Sequence, residues 1–324
     1  MLAIILGSAL VAGMPATPTL PSIAASDFDA WYRAAEAKTL VIPPEVERRA
    51  RAFRYVFVAG FRNEKIRGYF AQNTAELVRH GIPRKRIHVI NPSSSRDDEA
   101  NAAEVAGQVA EIAGEGPERL VIIAHSRGAC DALRFALGHP EFVAERVEAL
   151  FLVQGPFGGS EAAAHAVGLG TAMDRKMPWR ARIVAHLAGK VIRATTKGPS
   201  RAVLGGLAPG PAWSRWEEQL ALHPDAFARV GRRTFYITSE IEPDRLRLAR
   251  RAIARYLKTY HGPSDGMVMV ADQSVPGLGT VLATVEAGHA DLTQRFPAAR
   301  GQRRLRRALI DGILMGVGGG SACR

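Results

Sequence analysis

The stretch Leu120-Val121-Ile122-Ile123-Ala124-His125-Ser126-Arg127-Gly128 decides how this chain folds. Its run of apolar residues, with no polar alternation, is the mark of a strand buried on both faces. From Arg127 to Leu137 the pattern becomes helical. Ser126 therefore sits on a sharp turn between strand and helix, with its hydroxyl presented above a sheet. Such a turn needs small residues two positions before and two after the serine, where the strand and helix backbones approach closely. Ala124 and Gly128 meet that need, in the alanine variant of G-x-S-x-G. A serine that merely caps a helix is the bland alternative, but a chance match seldom falls between a buried strand and a helix.

The same rhythm runs outward in both directions. Tyr55 to Gly60, Arg86 to Ile90, Val147 to Val153, Arg233 to Thr238 and Val281 to Ala287 read as further strands. Gly68 to His80 reads as a helix stopped by Gly81 and Pro83, and Asp97 to Ala113 as another ended by Gly114. Continuous strands separated by helices predict an α/β fold with a mostly parallel central sheet flanked by helices. At about 150 residues per domain, 324 residues allow two domains or one large domain with an insertion. Between Phe157 and Val230 the rhythm breaks. Glycines, prolines and Trp179, Trp213 and Trp216 fall there among helical patterns. At roughly 70 residues the segment exceeds an ordinary crossover, and it reads as a helical cap over the C-terminal edge of the sheet. The expected core is then 27–156 and 231–324, with a cap insertion over 157–230.

Charge and cysteine content narrow the setting. Lys plus Arg is 43 against 31 for Asp plus Glu, a formal net charge of +12. The excess is mostly scattered arginine in an Ala- and Gly-rich chain, so no nucleic-acid partner is expected. Arg175, Lys176, Arg180 and Arg182 cluster near Trp179, which leaves an anionic membrane surface as a partner. The basic run Gln302-Arg303-Arg304-Leu305-Arg306-Arg307 reads as a solvated face or a contact to anionic headgroups. Cys130 and Cys323 support neither a disulfide framework nor a zinc finger. Leu2 to Met14 is apolar but falls short of the roughly 20 residues that span a bilayer. It has the length of a signal-peptide core, with Ile23-Ala24-Ala25 as small residues for cleavage, although no Lys or Arg precedes Arg33. Residues 1–26 are expected to be a signal-like or anchor segment of an exported protein; without that role the chain is cytoplasmic.

From about Tyr55 to Phe296 the chain resembles an α/β-hydrolase of the bacterial lipase and esterase kind. The resemblance rests on the strand-serine-helix turn and on Pro263-Ser264-Asp265-Gly266-Met267-Val268, which is similar to the Asn-Asp-Gly-hydrophobic segment of those lipases. It implies an acyl-ester hydrolase with serine, acid and histidine in that chain order. A serine hydroxyl is a poor nucleophile near neutral pH and needs a base that is itself oriented by an acid. Of nine histidines, His289 alone follows the last strand, in Gly288-His289-Ala290-Asp291-Leu292-Thr293. His125 adjoins Ser126, but its side chain is expected to point away and pack the turn. Asp265 and Asp244 contend for the acid. Asp265 is preferred, because Glu242-Pro243-Asp244 reads as a helix start; Asp291 reads as the N-cap of a helix from Leu292.

The resemblance also implies an oxyanion hole. Its donors are the N–H groups of Arg127, after the nucleophile, and of Phe61, in the turn Ala59-Gly60-Phe61-Arg62-Asn63-Glu64. Ala59 stands where relatives carry histidine. Gln154-Gly155-Pro156-Phe157-Gly158-Gly159-Ser160 is similar to the Thr-Pro-His-Arg-Gly-Ser segment that leads into a lid. It differs at Phe157 and Gly158, and Phe157 is expected to line an acyl pocket. The implied substrate is a hydrophobic ester or acyl chain. Asp272 and Asp291 are too isolated to predict calcium, so no metal and no cofactor is expected. An acyltransferase or thioesterase on the same three residues, or a silent binding protein, stands as the alternative.

Overall fold

The computed structural model describes residues 23–167, 179, 206–246, 248–294 and 302–319. Six strands form one sheet: β1 Arg54–Val58, β2 Ile87–Ile90, β3 Leu120–His125, β4 Val147–Val153, β5 Thr234–Glu240 and β6 Thr280–Glu286. Their order is β2-β1-β3-β4-β5-β6, and every pairing is parallel. Among the described residues, six α-helices precede the expected cap, α1 Ala25–Glu36, α2 Pro44–Ala50, α3 Ala71–Arg79, α4 Asp98–Gly114, α5 Arg127–Gly138 and α6 Pro140–Arg146, and α7 Glu161–Val167 lies at its start. Asp97 caps α4 by accepting from the Ala100 N–H at 2.8 Å, which stops the helix from reaching further back.

The continuous apolar strands have their physical reason in two cores. Phe57, Ile123, Phe151 and Ile237 face one layer, where Phe28, Leu77, Leu309 and Ile313 cover them. Val56, Ile122, Leu152 and Tyr236 face the other, against Val105, Val109, Leu133 and Phe227. With both faces buried, no position in β1, β3 or β4 is left for a polar alternation. Strand order reverses between β1 and β3, so the loops after these strands diverge and leave a crevice at their C-terminal ends. Val58 pairs with Ala124 and His125 with Val153, which sets Gly60, Ser126 and Gln154 side by side on that edge.

Half of the expected cap, 168–178 and 180–205, lies outside the described residues, as does the segment 1–22. The last helix of that stretch, Pro224–Gly231, buries Phe227 and Val230 in the second core and so belongs to the layer flanking the sheet. Trp216 is buried and donates to the Phe157 carbonyl at 3.0 Å, Trp213 donates to Asp272, and Trp179 is 60% exposed. Among the described residues, no helix is long and apolar enough to cross a membrane.

The C-terminal helix Gln302–Gly319 packs on α1, α2 and α3, and one arginine of its basic run, Arg306, is absorbed in that packing. Arg306 is buried and donates to Gln72 and to the Asp291 and Gln294 carbonyls. Arg304 pairs with Glu36, and Arg307 with Glu76 and Asp311. Arg306 thus forms part of a structural seam, whereas Arg303, Arg304 and Arg307 stay exposed, in keeping with the solvated face read from sequence. His80 closes the seam, with 2.9 Å contacts to Glu47 of α2 and to Asp311 of the C-terminal helix. Burial alone lowers its pKa, but the hydrogen bonds to Asp311 and Glu47 outweigh burial and raise it. The native state then holds this proton more tightly than the unfolded chain. Its stabilising effect is full below about pH 6.5 and is lost as pH rises through the raised folded value. Urea unfolding across that window is expected to show stability falling with pH in the wild type and a flatter profile in His80→Gln. The same slope in both proteins would count against the assignment.

Candidate active site

Ser126 occupies the turn between β3 and α5 with φ 56° and ψ −133°, a strained conformation for a residue with a side chain. Surrounding backbone enforces it. A Cβ on Gly128 would lie 2.5 Å from the Ala59 carbonyl oxygen and 2.7 Å from that of Val58. A Cβ on Gly60 would lie 2.9 Å from both the His125 carbonyl oxygen and the Ser126 Cβ. The end of β1 thus packs directly onto the serine turn, which is why the motif needs glycine after the serine. Gly128→Ala is expected to cost roughly 1–3 kcal/mol, since backbone atoms cannot yield as a flexible side chain would. Denaturant unfolding measures it, and an unchanged midpoint would contradict the packing.

Three side chains separated widely in sequence meet above this turn. Ser126 Oγ lies 2.8 Å from His289 Nε2, and His289 Nδ1 lies 2.8 Å from Asp265 Oδ2. Asp265 is held in turn: its Oδ1 accepts from the Met267 and Val268 N–H groups at 2.9 and 2.8 Å. The Asp265 carbonyl accepts from the His289 N–H at 3.0 Å, so the two loops are joined by main chain as well. Asp265 and His289 are buried, and Ser126 is half-buried. Asp244 stands elsewhere, with its side chain 73% exposed and paired to Arg255. Asp291 does not cap a following helix. It folds back to accept from the Gly288 N–H at 3.0 Å and braces the histidine loop from below, because Ala290 to Thr293 form a turn.

Of the residues expected to stabilise an oxyanion, Arg127 directly follows Ser126, and Phe61 follows Gly60, which abuts the serine turn. Arg127 begins α5, so its N–H is one of those that a helix leaves without an intrahelical acceptor. Its side chain is buried and donates to the Ser93 and Arg96 carbonyls at 3.1 and 2.7 Å. The turn carrying Phe61 is anchored to the same loop: the Arg62 N–H donates to Ser94 Oγ at 2.7 Å, and Asn63 bridges the Gly60 and Pro92 carbonyls. One loop after β2 therefore holds both halves of the candidate hole. Phe157 is fully buried, 5.5 Å from the rings of Trp216 and Tyr236. Its ring is part of the second core, and contact with a substrate would require the neighbouring segment to open.

A cleft of about 340 Å³ between α1 and the ends of β5 and β6 is lined by Tyr32, Glu240, Glu242 and Lys258, and by neither Ser126 nor His289. Glu76, His80 and Asp311 bring ligand-type atoms within 4.8 Å of one another. Arg79 and Arg307 already engage those carboxylates, so the group reads as an ionic cluster rather than a cation cage.

Neither a family model nor a curated protein matches the sequence. Solved structures do match. A metagenomic carboxyl esterase is similar over 82% of this chain and 76% of its own, with a TM-score of 0.57 at 20% identity. The mature form of a lipase from Bacillus licheniformis is similar over 81% of this chain and 88% of its own, with a TM-score of 0.52 at 19% identity. The chain has the α/β-hydrolase fold, in the form seen in these bacterial esterase and lipase structures.

Proposed function

We propose that this protein hydrolyses carboxylic esters through a Ser126-His289-Asp265 triad and an acyl-enzyme. The observation that supports the reading best is the unbroken chain of 2.8 Å contacts from Ser126 Oγ through His289 to Asp265. In this reading Ser126 Oγ attacks the ester carbonyl carbon as its proton passes to His289 Nε2. The N–H groups of Phe61 and Arg127 receive the oxyanion, usually the largest electrostatic contribution to such catalysis. Collapse expels the alcohol, which takes the proton from His289 and leaves the acyl group on Ser126. Water then attacks the acyl-enzyme and gives a proton to His289. The second collapse releases the acid and returns that proton to Ser126. Asp265 holds the ring in the tautomer with a free Nε2 lone pair and stabilises the imidazolium.

The substrate class we infer is a hydrophobic ester, taken under a helical cap and at an anionic lipid surface, by an exported enzyme. A series of p-nitrophenyl esters of increasing chain length, with a fluorophosphonate label, tests it. Octanoyl esters are expected to exceed acetyl esters, with a further rise on anionic vesicles. A preference for acetyl esters and no rise at the interface would leave a small-ester esterase. Faster turnover of thioesters, or acyl transfer to an added alcohol, would favour the thioesterase or acyltransferase alternative. No label and no turnover would sink the proposal.

A further inference from the structure

Beneath the triad lies a second, fully buried set of polar side chains that the reaction above does not use. The Gly60 N–H donates to Tyr69 Oη at 3.1 Å, and Tyr69 Oη lies 2.5 Å from His125 Nδ1. His125 Nε2 lies 2.8 Å from the His289 carbonyl oxygen and 3.1 Å from Gln154 Oε1. Gln154 Nε2 donates to the Gly288 carbonyl at 3.1 Å and to Ser239 Oγ. The Ser239 N–H donates to Gln273 Oε1 at 2.7 Å, and Gln273 Nε2 reaches the Val268 carbonyl beside Asp265 at 3.2 Å. His125, Gln154, Ser239 and Gln273 are 0% exposed, and Gln154 is held at φ 52°, where residues with side chains are rare.

The proton positions follow from what each atom faces. A main-chain carbonyl only accepts, so His125 Nε2 carries a proton toward His289. Burial, with His289 nearby, pushes the His125 pKa down to about 3, and the ring stays neutral. Its Nδ1 is therefore a lone pair, and Tyr69 donates to it. The Gly288 carbonyl orients the Gln154 amide in the same way. We propose that Tyr69, His125 and Gln154 are positioning residues for His289. Tyr69 fixes the tautomer of His125, while His125 and Gln154 hold the successive carbonyls of His289 and Gly288, which keeps Nε2 over Ser126. The proposal rests on the reading of His289 as the base. Fixing a ligand or base through the hydrogen bond on its far side is a general device for holding a ring and its tautomer. Without the Tyr69 hydroxyl, the His125 proton can move to Nδ1, and a lone pair then faces the His289 carbonyl. The Gly60 N–H, next to the Phe61 turn, loses its acceptor as well.

Tyr69→Phe keeps the ring and its packing, His125→Leu removes the donor, and His125→Gln places an amide N–H near the same point. Tyr69→Phe and His125→Leu are expected to lower kcat roughly ten- to a hundredfold with KM little changed, as for a slightly displaced catalytic group. His125→Gln is expected to recover part of that loss. The low-field proton signal of the His289 Nδ1–H bonded to Asp265 reads the same geometry without turnover. It should be sharp in the wild type, broadened in Tyr69→Phe and His125→Leu, and restored in His125→Gln. An unchanged kcat and a sharp signal in Tyr69→Phe and His125→Leu, with only a lower unfolding temperature, would overturn the proposal. A wild type with the sharp signal but no ester turnover would instead count against the proposed function.

Discussion

Ser126→Ala is expected to reduce ester turnover by on the order of 10⁴-fold or more while leaving the protein folded. The size of the effect follows from what the hydroxyl does. Removal of Oγ leaves His289 Nε2 with no nucleophile to activate, and an acyl-enzyme can no longer form. Any remaining rate comes from water attacking a substrate held by the oxyanion donors. Stability should change little, because alanine meets the same restriction at φ 56° that serine already meets, and a single half-exposed hydrogen bond is worth about 1 kcal/mol. Fluorophosphonate labelling followed by intact mass is the direct reading. Labelling that persists in Ser126→Ala would place the nucleophile elsewhere.

Asp265→Asn is expected to lower kcat by about 10³ to 10⁴ with the fold unchanged. The two oxygens of Asp265 have separate duties. Oδ1 accepts from the Met267 and Val268 N–H groups, and Oδ2 faces His289 Nδ1. An asparagine keeps its oxygen on the two N–H groups and turns its amide toward His289. That amide donates, so Nδ1 must accept and the ring proton must sit on Nε2. The base is then blocked at the atom that should take the Ser126 proton, and the imidazolium loses its counter-charge. Asp244→Asn, at an exposed ion pair, is expected to turn over like the wild type. A dead Asp244→Asn beside a near-normal Asp265→Asn would reverse the assignment.

Much of this architecture was legible without coordinates because it depends on local chemistry. Val, Ile and Leu runs buried on both faces have no other stable place than a covered parallel sheet, and the bounds read for Val147 to Val153 match β4. The small residues around Ser126 declare a close backbone crossing before its partner, the end of β1, is known. His289 and Asp265 were reached through their resemblance to lipase segments and their place along the chain. Tertiary structure decided what depends on distant pairing. Arg303 to Arg307 read as a solvated basic face, yet the partners that absorb Arg306 lie on α3 and in the histidine loop. His125 read as packing, because nothing near it in sequence gives its ring a hydrogen bond. Its acceptor in the histidine loop is 164 residues away, and Tyr69 is 56 away. Local propensity and periodicity reach about one helical turn or one strand pair, so the strands and the serine turn are written in the sequence. A buried polar network is a sum of contacts between chain segments, and it exists only once the sheet has brought those segments to one edge.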